Sequence, residues 1–304
     1  MTDGCDHVAV RERADEREPH GDAVRFPDDM LYGEVLIEAN DLIARDTYRL
    51  RFCWPTMAER FLPGQFLMLR IPNRDDPLLG RAFALYDTVL DQQQRPSGVE
   101  IVYLVKGKAT YQLSQLSPGY PLAVWGPLGN GFPPIVADHV VMVAGGIGQT
   151  PFLAWARELS GTRRFGCPPR TVPLVPRRTL CYGTRTAALL AGLDAFREAG
   201  LELLLATEDG TCGHRGYVTD LVQRLLDEGQ RPHLVACGPD PMMAVVAQLA
   251  ERYDVPCHVS LETPMACGMG ICFSCVTRVK IGTSWDYRRT CVEGPVFDAR
   301  QLVW

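Results

Sequence analysis

Four cysteines near the C-terminus, Cys267, Cys272, Cys275 and Cys291, run C-x4-C-x2-C and then, after fifteen more residues, a fourth Cys. This is the ligand spacing of a plant-type 2Fe-2S cluster. Such a cluster needs four thiolates converging on two irons. Gly268 and Gly270 inside the first gap let the backbone fold closely round the sulfides without a Cβ clash. Three readings stay open on these residues alone. The spacing favours the cluster; a structural zinc site also takes four thiolates but usually draws them from paired C-x2-C elements; reduced cysteines also serve as small core residues.

The chain around this motif is long enough, at 304 residues, for two domains and an appendage. With 46% hydrophobic residues and a net charge of -5 it lacks the basic field of a nucleic-acid binder and the composition of a disordered acidic chain. No apolar run reaches the ~18 to 20 residues that a membrane span needs, and residues 1–30 hold no apolar leader. The expectation is a cytoplasmic protein without nucleic-acid or membrane partners. Its eleven cysteines are expected to be thiols kept reduced, four of them metal ligands. The charged stretch through Arg11, Glu12, Arg13, Asp15 and Glu16 reads as a disordered tail, 1–29.

From Tyr32 to about Pro134, short β-rich runs at Gly33 to Ile37, Tyr48 to Phe52, Gln65 to Ile71, Val99 to Val105 and Pro121 to Trp125 alternate with Pro-Gly turns. That rhythm predicts an antiparallel barrel or sandwich over 30–134. Over 135–255 buried strands alternate with helical segments: Val140 to Ala144 then Thr150 to Leu159, Thr179 to Tyr182 then Thr186 to Glu198, Leu201 to Ala206 then Val218 to Leu226, and Leu234 to Cys237 then Pro241 to Arg252. This predicts a Rossmann-like parallel α/β domain with its ligand at the strand C-termini. The remaining piece, 256–304, carries the cysteines and two strand-like runs. It is small enough that a metal cluster would supply part of its stability. Ser160 to Arg178, with five Arg and four Pro, reads as an exposed insertion loop.

Two glycine turns mark the α/β domain. Gly145, Gly146, Gly148 and Thr150 follow the first buried strand, and Pro151 then opens a helix, which puts free N–H groups beneath a bound phosphate. Cys237, Gly238 and Pro239 follow another buried strand, with Cys237 at its C-terminus. Each turn alone also reads as a tight connection. Thr207-Glu208-Asp209-Gly210 adds a third polar turn at the same edge.

These pieces in this order resemble the ferredoxin reductase superfamily: a flavin-binding antiparallel barrel, then a nicotinamide-binding domain with GGIG-type and CGP-type turns. The closing motifs, Glu262-Thr-Pro-Met-Ala-Cys-Gly-Met-Gly-Ile-Cys-Phe-Ser-Cys and Arg289-Thr-Cys291-Val-Glu-Gly-Pro-Val-Phe-Asp298, are similar to the electron-transfer subunits of class 1B dihydroorotate dehydrogenases. The resemblance implies FAD held at Arg81, Ala82, Phe83 and Ala84, where the family has R-x-[YFI]-[ST]. It adds a second FAD turn at Lys106, Gly107, Lys108, Ala109 and Thr110. Ala84 departs from the pattern by lacking the hydroxyl, and Ala109 replaces a glycine.

The resemblance further implies a relay. Electrons pass from the FMN of a dihydroorotate dehydrogenase catalytic subunit, through the 2Fe-2S cluster and FAD, to NAD+, in pyrimidine biosynthesis and within a heterotetramer. No general base or nucleophile is nominated. One alternative is an NAD(P)H-dependent reductase subunit of a bifurcating, sulfhydrogenase or glutamate-synthase-like complex. For that reading, Arg185 and Arg177 are candidates to hold a 2′-phosphate, so NADP stays open beside NAD. An alternative of another class is a zinc-binding redox-regulatory scaffold.

Overall fold

The computed structural model describes residues 30–304, together with the backbone of Ala9–Val10. The tail expected over 1–29 otherwise lies outside the described residues. The barrel domain comprises β1 (Ala9–Val10), β2 (Leu31–Ala44), β3 (Thr47–Cys53), α1 (Pro55–Arg60), β4 (Phe66–Arg70), β5 (Arg81–Ala84), β6 (Asp87–Leu90), β7 (Pro96–Leu104), α2 (Lys108–Ser114) and β8 (Pro121–Leu128). Strand order is β5-β4-β8-β2-β3-β7-β6, antiparallel throughout, with β1 paired to β2 and the path open between β5 and β6. Alternation builds it. In β2, Leu31, Gly33, Val35 and Ile37 are buried while Tyr32, Glu34, Leu36 and Glu38 are exposed. The sequence reading misses β5 and β6, which are four residues each and carry polar residues (Arg81, Asp87 and Thr88).

The second domain runs β9 (His139–Gly145), α3 (Phe152–Leu159), β10 (Arg177–Thr184), α4 (Leu193–Glu198), β11 (Glu202–Thr207), β12 (His214–Arg215), α5 (Val218–Asp227), β13 (His233–Cys237), α6 (Asp240–Arg252) and β14 (Cys257–Ser260). The hairpin β15 (Val276–Ile281) and β16 (Ser284–Arg289) and the short strand β17 (Val296–Asp298) close the chain. The sheet order is β12-β11-β10-β9-β13-β14-β17, parallel except for β17. Strand order reverses at β9, so the crevice for a ligand opens where the Gly145–Thr150 turn leaves it.

Several expectations change or are qualified. The helix expected over Thr186 to Glu198 is a short 3-10 turn followed by α4. Gly192, at φ +72° and pressed on the Tyr86 hydroxyl, separates the two. The sheet continues past the expected 255/256 boundary, because β14 pairs with β13 and the C-terminal β17 adds an edge strand. The arginine-rich segment is largely an exposed loop, as expected, but it is anchored at particular side chains. Phe165 enters the barrel core, and Arg170 forks onto the buried Glu158 carboxylate through two 2.7 Å bonds while also donating to the Phe132 carbonyl. Among the cysteines of the described residues, nine are free thiols, whereas Cys53 is disulfide-bonded, against the expectation of reduced thiols throughout.

Candidate functional site

A cavity of about 1030 Å³ lies between the two domains, where β5 of the barrel faces the glycine turns. Its walls include Arg81, Ala82, Phe83, Ala84 and Lys106 from the barrel, and Gly145, Gly146, Thr150, Cys237, Gly238 and Pro239 from the α/β domain. Phe83 is held edge-on against Tyr103 at 6.0 Å, and Tyr103 in turn donates to Asn40 Oδ1 at 2.9 Å, which fixes the ring that lines the wall. Arg81 spends one guanidinium nitrogen on the Leu79 and Gly80 carbonyls at 3.0 and 3.1 Å. Its remaining N–H groups suit a pyrophosphate.

The glycine turns divide the work. A Cβ at Gly146, where φ is +56°, would meet no protein atom, so the space above it is open to a ligand. A Cβ at Gly148 would collide with the Cys237 carbonyl, and Gly238 sits against Gly145. Gly148 therefore lets the two turns touch and does not line the cavity. Gly107, Lys108, Ala109 and Thr110 also stand outside it. The Thr110 hydroxyl accepts from the Lys106 and Gly107 amides as the cap of α2, and Lys108 pairs with Asp76. Burial pushes the Cys237 thiol up, opposed by a hydrogen bond with Ser260, so this part of the wall presents a neutral sulfur.

The sequence reading did not nominate Ser260, Glu262, Thr263 or Tyr217, all of which line the cavity. The Thr263 hydroxyl is buried without a hydrogen-bond partner, as expected of a group facing an absent ligand. Glu262 is held above the usual carboxylate range by desolvation from its walls, with Lys106 opposing. The flagged Thr207-Glu208 turn and the nominated Arg185 foretold part of the far end, where Glu208 and Arg185 line the wall. Arg177 does not. It begins β10 opposite His139 and pairs with Glu202 at 3.1 Å, a strand's length from the cavity.

Of the four motif cysteines, Cys275 and Cys291 pack against the barrel, the Cys267 carbonyl accepts from Trp125 of β8, and Cys272 is exposed. Cys275 and Cys291 are buried, with sulfurs 3.2 Å apart, in an apolar cluster of Phe66, Met68 and Leu128. The two sulfurs share one hydrogen bond, which lowers the Cys275 thiol and raises that of Cys291. On the loop, the Met269 amide donates to Cys267 Sγ at 3.3 Å, and hydrogen bonds from Ser274 and Cys267 bring the Cys272 thiol down to about 6. Gly268 and Gly270 are at φ +73° and +81°. A Cβ on Gly268 would strike Met68. No three His, Cys, Asp or Glu side chains among the described residues stand at metal-binding geometry, so the sulfurs are grouped as pairs. The donor set of four cysteine sulfurs, with a backbone amide directed at Cys267 Sγ, fits an iron-sulfur cluster. Phe66 and Met265 belong both to this pocket and to the cavity wall, which puts the two sites back to back.

Residues 34–132 match the oxidoreductase FAD-binding domain, 142–248 the oxidoreductase NAD-binding domain, and 262–303 the iron-sulfur cluster binding domain of dihydroorotate dehydrogenase B. The electron transfer subunit of dihydroorotate dehydrogenase B (NAD(+)) from Desulforamulus reducens is 34% identical over 265 residues, 86% of this chain and 95% of the relative. That from Bacillus caldolyticus is 36% identical over 273 residues, 88% and 97%. Among solved structures, an NADH-dependent reduced ferredoxin-NADP oxidoreductase studied for flavin-based electron bifurcation superposes with TM-score 0.73 at 28% identity, covering 89% of this chain and 90% of that one. The Amycolatopsis cytochrome P450 reductase GcoB, at TM-score 0.59 and 22% identity over 76% of this chain and 68% of that one, shares the fold. On three matched domains in series and relatives aligned along nearly their whole length, the chain belongs to the family of dihydroorotate dehydrogenase B electron transfer subunits.

Proposed function

We propose that this chain passes electrons between the FMN of a dihydroorotate dehydrogenase catalytic subunit and NAD+, through its own 2Fe-2S cluster and FAD, in a cytoplasmic heterotetramer serving pyrimidine synthesis. The observation that carries the reading is the shared wall. One cavity takes in the flavin strand and both glycine turns, and Phe66 and Met265 separate it from the cysteines by single side chains. Between two-electron nicotinamide and one-electron iron-sulfur chemistry, FAD when bound supplies the ability to exchange both.

The chain's own residues bind, orient and insulate. Arg81 offers its guanidinium fork to the pyrophosphate, and Phe83 offers a fixed ring to the flavin. The open space over Gly146 admits the dinucleotide phosphates, while neutral Cys237 closes the nicotinamide end without adding charge. Glu208, whose side chain has no hydrogen-bond partner among the described residues, stands just past the C-terminal end of β11. It suits a ribose diol and repels a 2′-phosphate, which favours NAD over NADP. Glu208→Gln should therefore narrow the ratio of NADH to NADPH turnover, and an unchanged ratio would remove Glu208 from the discrimination.

The test is anaerobic purification from the native host, identification of the copurifying chain, and assay of dihydroorotate-dependent NAD+ reduction. Cys275→Ser should abolish that activity while sparing NADH oxidation by ferricyanide, because the artificial acceptor takes electrons upstream of the cluster. Full retention of partner-linked activity would sink the ligand assignment. The likeness to the bifurcation-related oxidoreductase supports a second reading, a reductase subunit of such a complex, and a hydrogenase or glutamate-synthase-like copurifying chain would favour it.

A further inference from the structure

The flavin strand and the dinucleotide turn belong to different domains, so their relative angle must be fixed by contacts between domains. A dense group of those contacts falls on the residues just after β5. The Ala154 amide, in the first turn of α3, donates to the Tyr86 carbonyl at 3.1 Å. The Tyr86 ring lies in the α/β core, edge-on to Phe196 at 6.3 Å. Asp87 follows, its side chain only 3% exposed. One carboxylate oxygen accepts from Arg157 of α3, and the other accepts from Arg163 at 2.8 Å. Arg163 also donates to the Thr88 carbonyl.

Thus a buried acid of the barrel, three residues beyond Ala84, is held from two directions by the α/β domain. A buried ion group of this kind contributes little net stability compared with apolar packing, and its best-attested use is to fix a register. The arginine-rich segment, which the electron path does not use, supplies the second cation. Another of its arginines, Arg170, ties the segment's far side to Glu158 of the same helix. Both arginines brace α3, whose preceding turn lines the cavity.

We propose that Asp87 is a positioning residue for electron exchange between nicotinamide and flavin: gripped by Arg157 and Arg163, it sets how the Gly145–Thr150 turn faces β5. The proposal rests on the FAD and nicotinamide reading above. Hydride exchange requires reacting atoms about 3–3.5 Å apart, so a small rotation between domains costs rate before it costs binding.

The test uses the full FAD-loaded chain, NADH as donor and ferricyanide as acceptor, in Asp87→Asn, Arg163→Ala and Arg163→Lys. Arg163→Ala should lower kcat about tenfold while KM and FAD content stay within about twofold of wild type. It should also weaken the long-wavelength charge-transfer absorbance of the reduced flavin with NAD+, and Arg163→Lys should recover part of both. Asp87→Asn leaves two cations on a weaker acceptor and carries the greater folding risk; Arg163→Ala keeps the Arg157 pair and decides the matter if the first variant is insoluble. Variants with lower melting temperature but unchanged kcat and absorbance would reduce the contact to a structural brace and overturn the proposal alone. A wild-type chain that binds FAD and NADH yet does not oxidise NADH would overturn the functional reading as well.

Discussion

Gly146 and Gly148 stand two residues apart in one turn and meet opposite constraints. At Gly146 the backbone is left-handed and the space above it is empty, so a side chain there is strained and also fills ligand volume. Gly146→Val should raise the Kd for NADH about tenfold, which titration of the FAD-loaded protein would measure, with FAD content retained. Loss of FAD instead would mean that the turn serves the other domain's ligand. At Gly148 the obstacle is the Cys237 carbonyl, a backbone atom that cannot swing aside. Gly148→Ala should destabilise the fold by about 1–3 kcal/mol, readable in a denaturant melt. The glycine pattern suggested a phosphate turn, but only the touching of two turns distant in sequence separates the glycine that faces open space from the packing glycine.

At the scale of elements, β13 and β14 carry a second consequence of being buried neighbours. His233 and His258 stack with ring centroids 5.0 Å apart and nitrogens 2.8 Å apart. Burial, then the His258 neighbour, pushes His233 down to about 4 from 6.5, while Asp298 opposes. His258 is lowered by burial as well. Below pH 6.5 the unfolded chain takes up protons that the folded pair refuses, so stability is complete above that pH and is lost progressively between 6.5 and about 4. Melting temperatures across that window should fall more steeply for wild type than for His233→Gln, and parallel profiles would dismiss the pair as the cause. The long alternating or apolar strands were legible from their residues. The short strands β5 and β6 were not, because their residues are chosen by ligand wall and domain contact rather than by a two-residue repeat.

The whole molecule is knitted across its three parts. Asn130, between barrel and α/β domain, exchanges hydrogen bonds with Val296, donating at 2.8 Å and accepting at 3.2 Å, and its amide donates to the Gly294 carbonyl at 2.7 Å. Trp125 of β8 donates to the Cys267 carbonyl at 2.9 Å. Truncation after Leu261 would strip β17 from β14 and uncover Met68 and Leu128, so the shortened chain should melt earlier than the full one and lose FAD more readily. A truncated chain with an unchanged melt would show the C-terminal piece to be an independent module. No helix among the described residues is long and apolar enough to cross a membrane. By itself the sequence determined the order of barrel, parallel sheet and cysteine loop, together with the cysteine spacing and both glycine turns, because each rests on local spacing or on a short repeat. Only the tertiary structure decided which residues share the cavity, where the last strand pairs and why the arginine-rich segment is there. Those depend on contacts between positions far apart in the chain, such as Asp87 with Arg163, which no local pattern encodes.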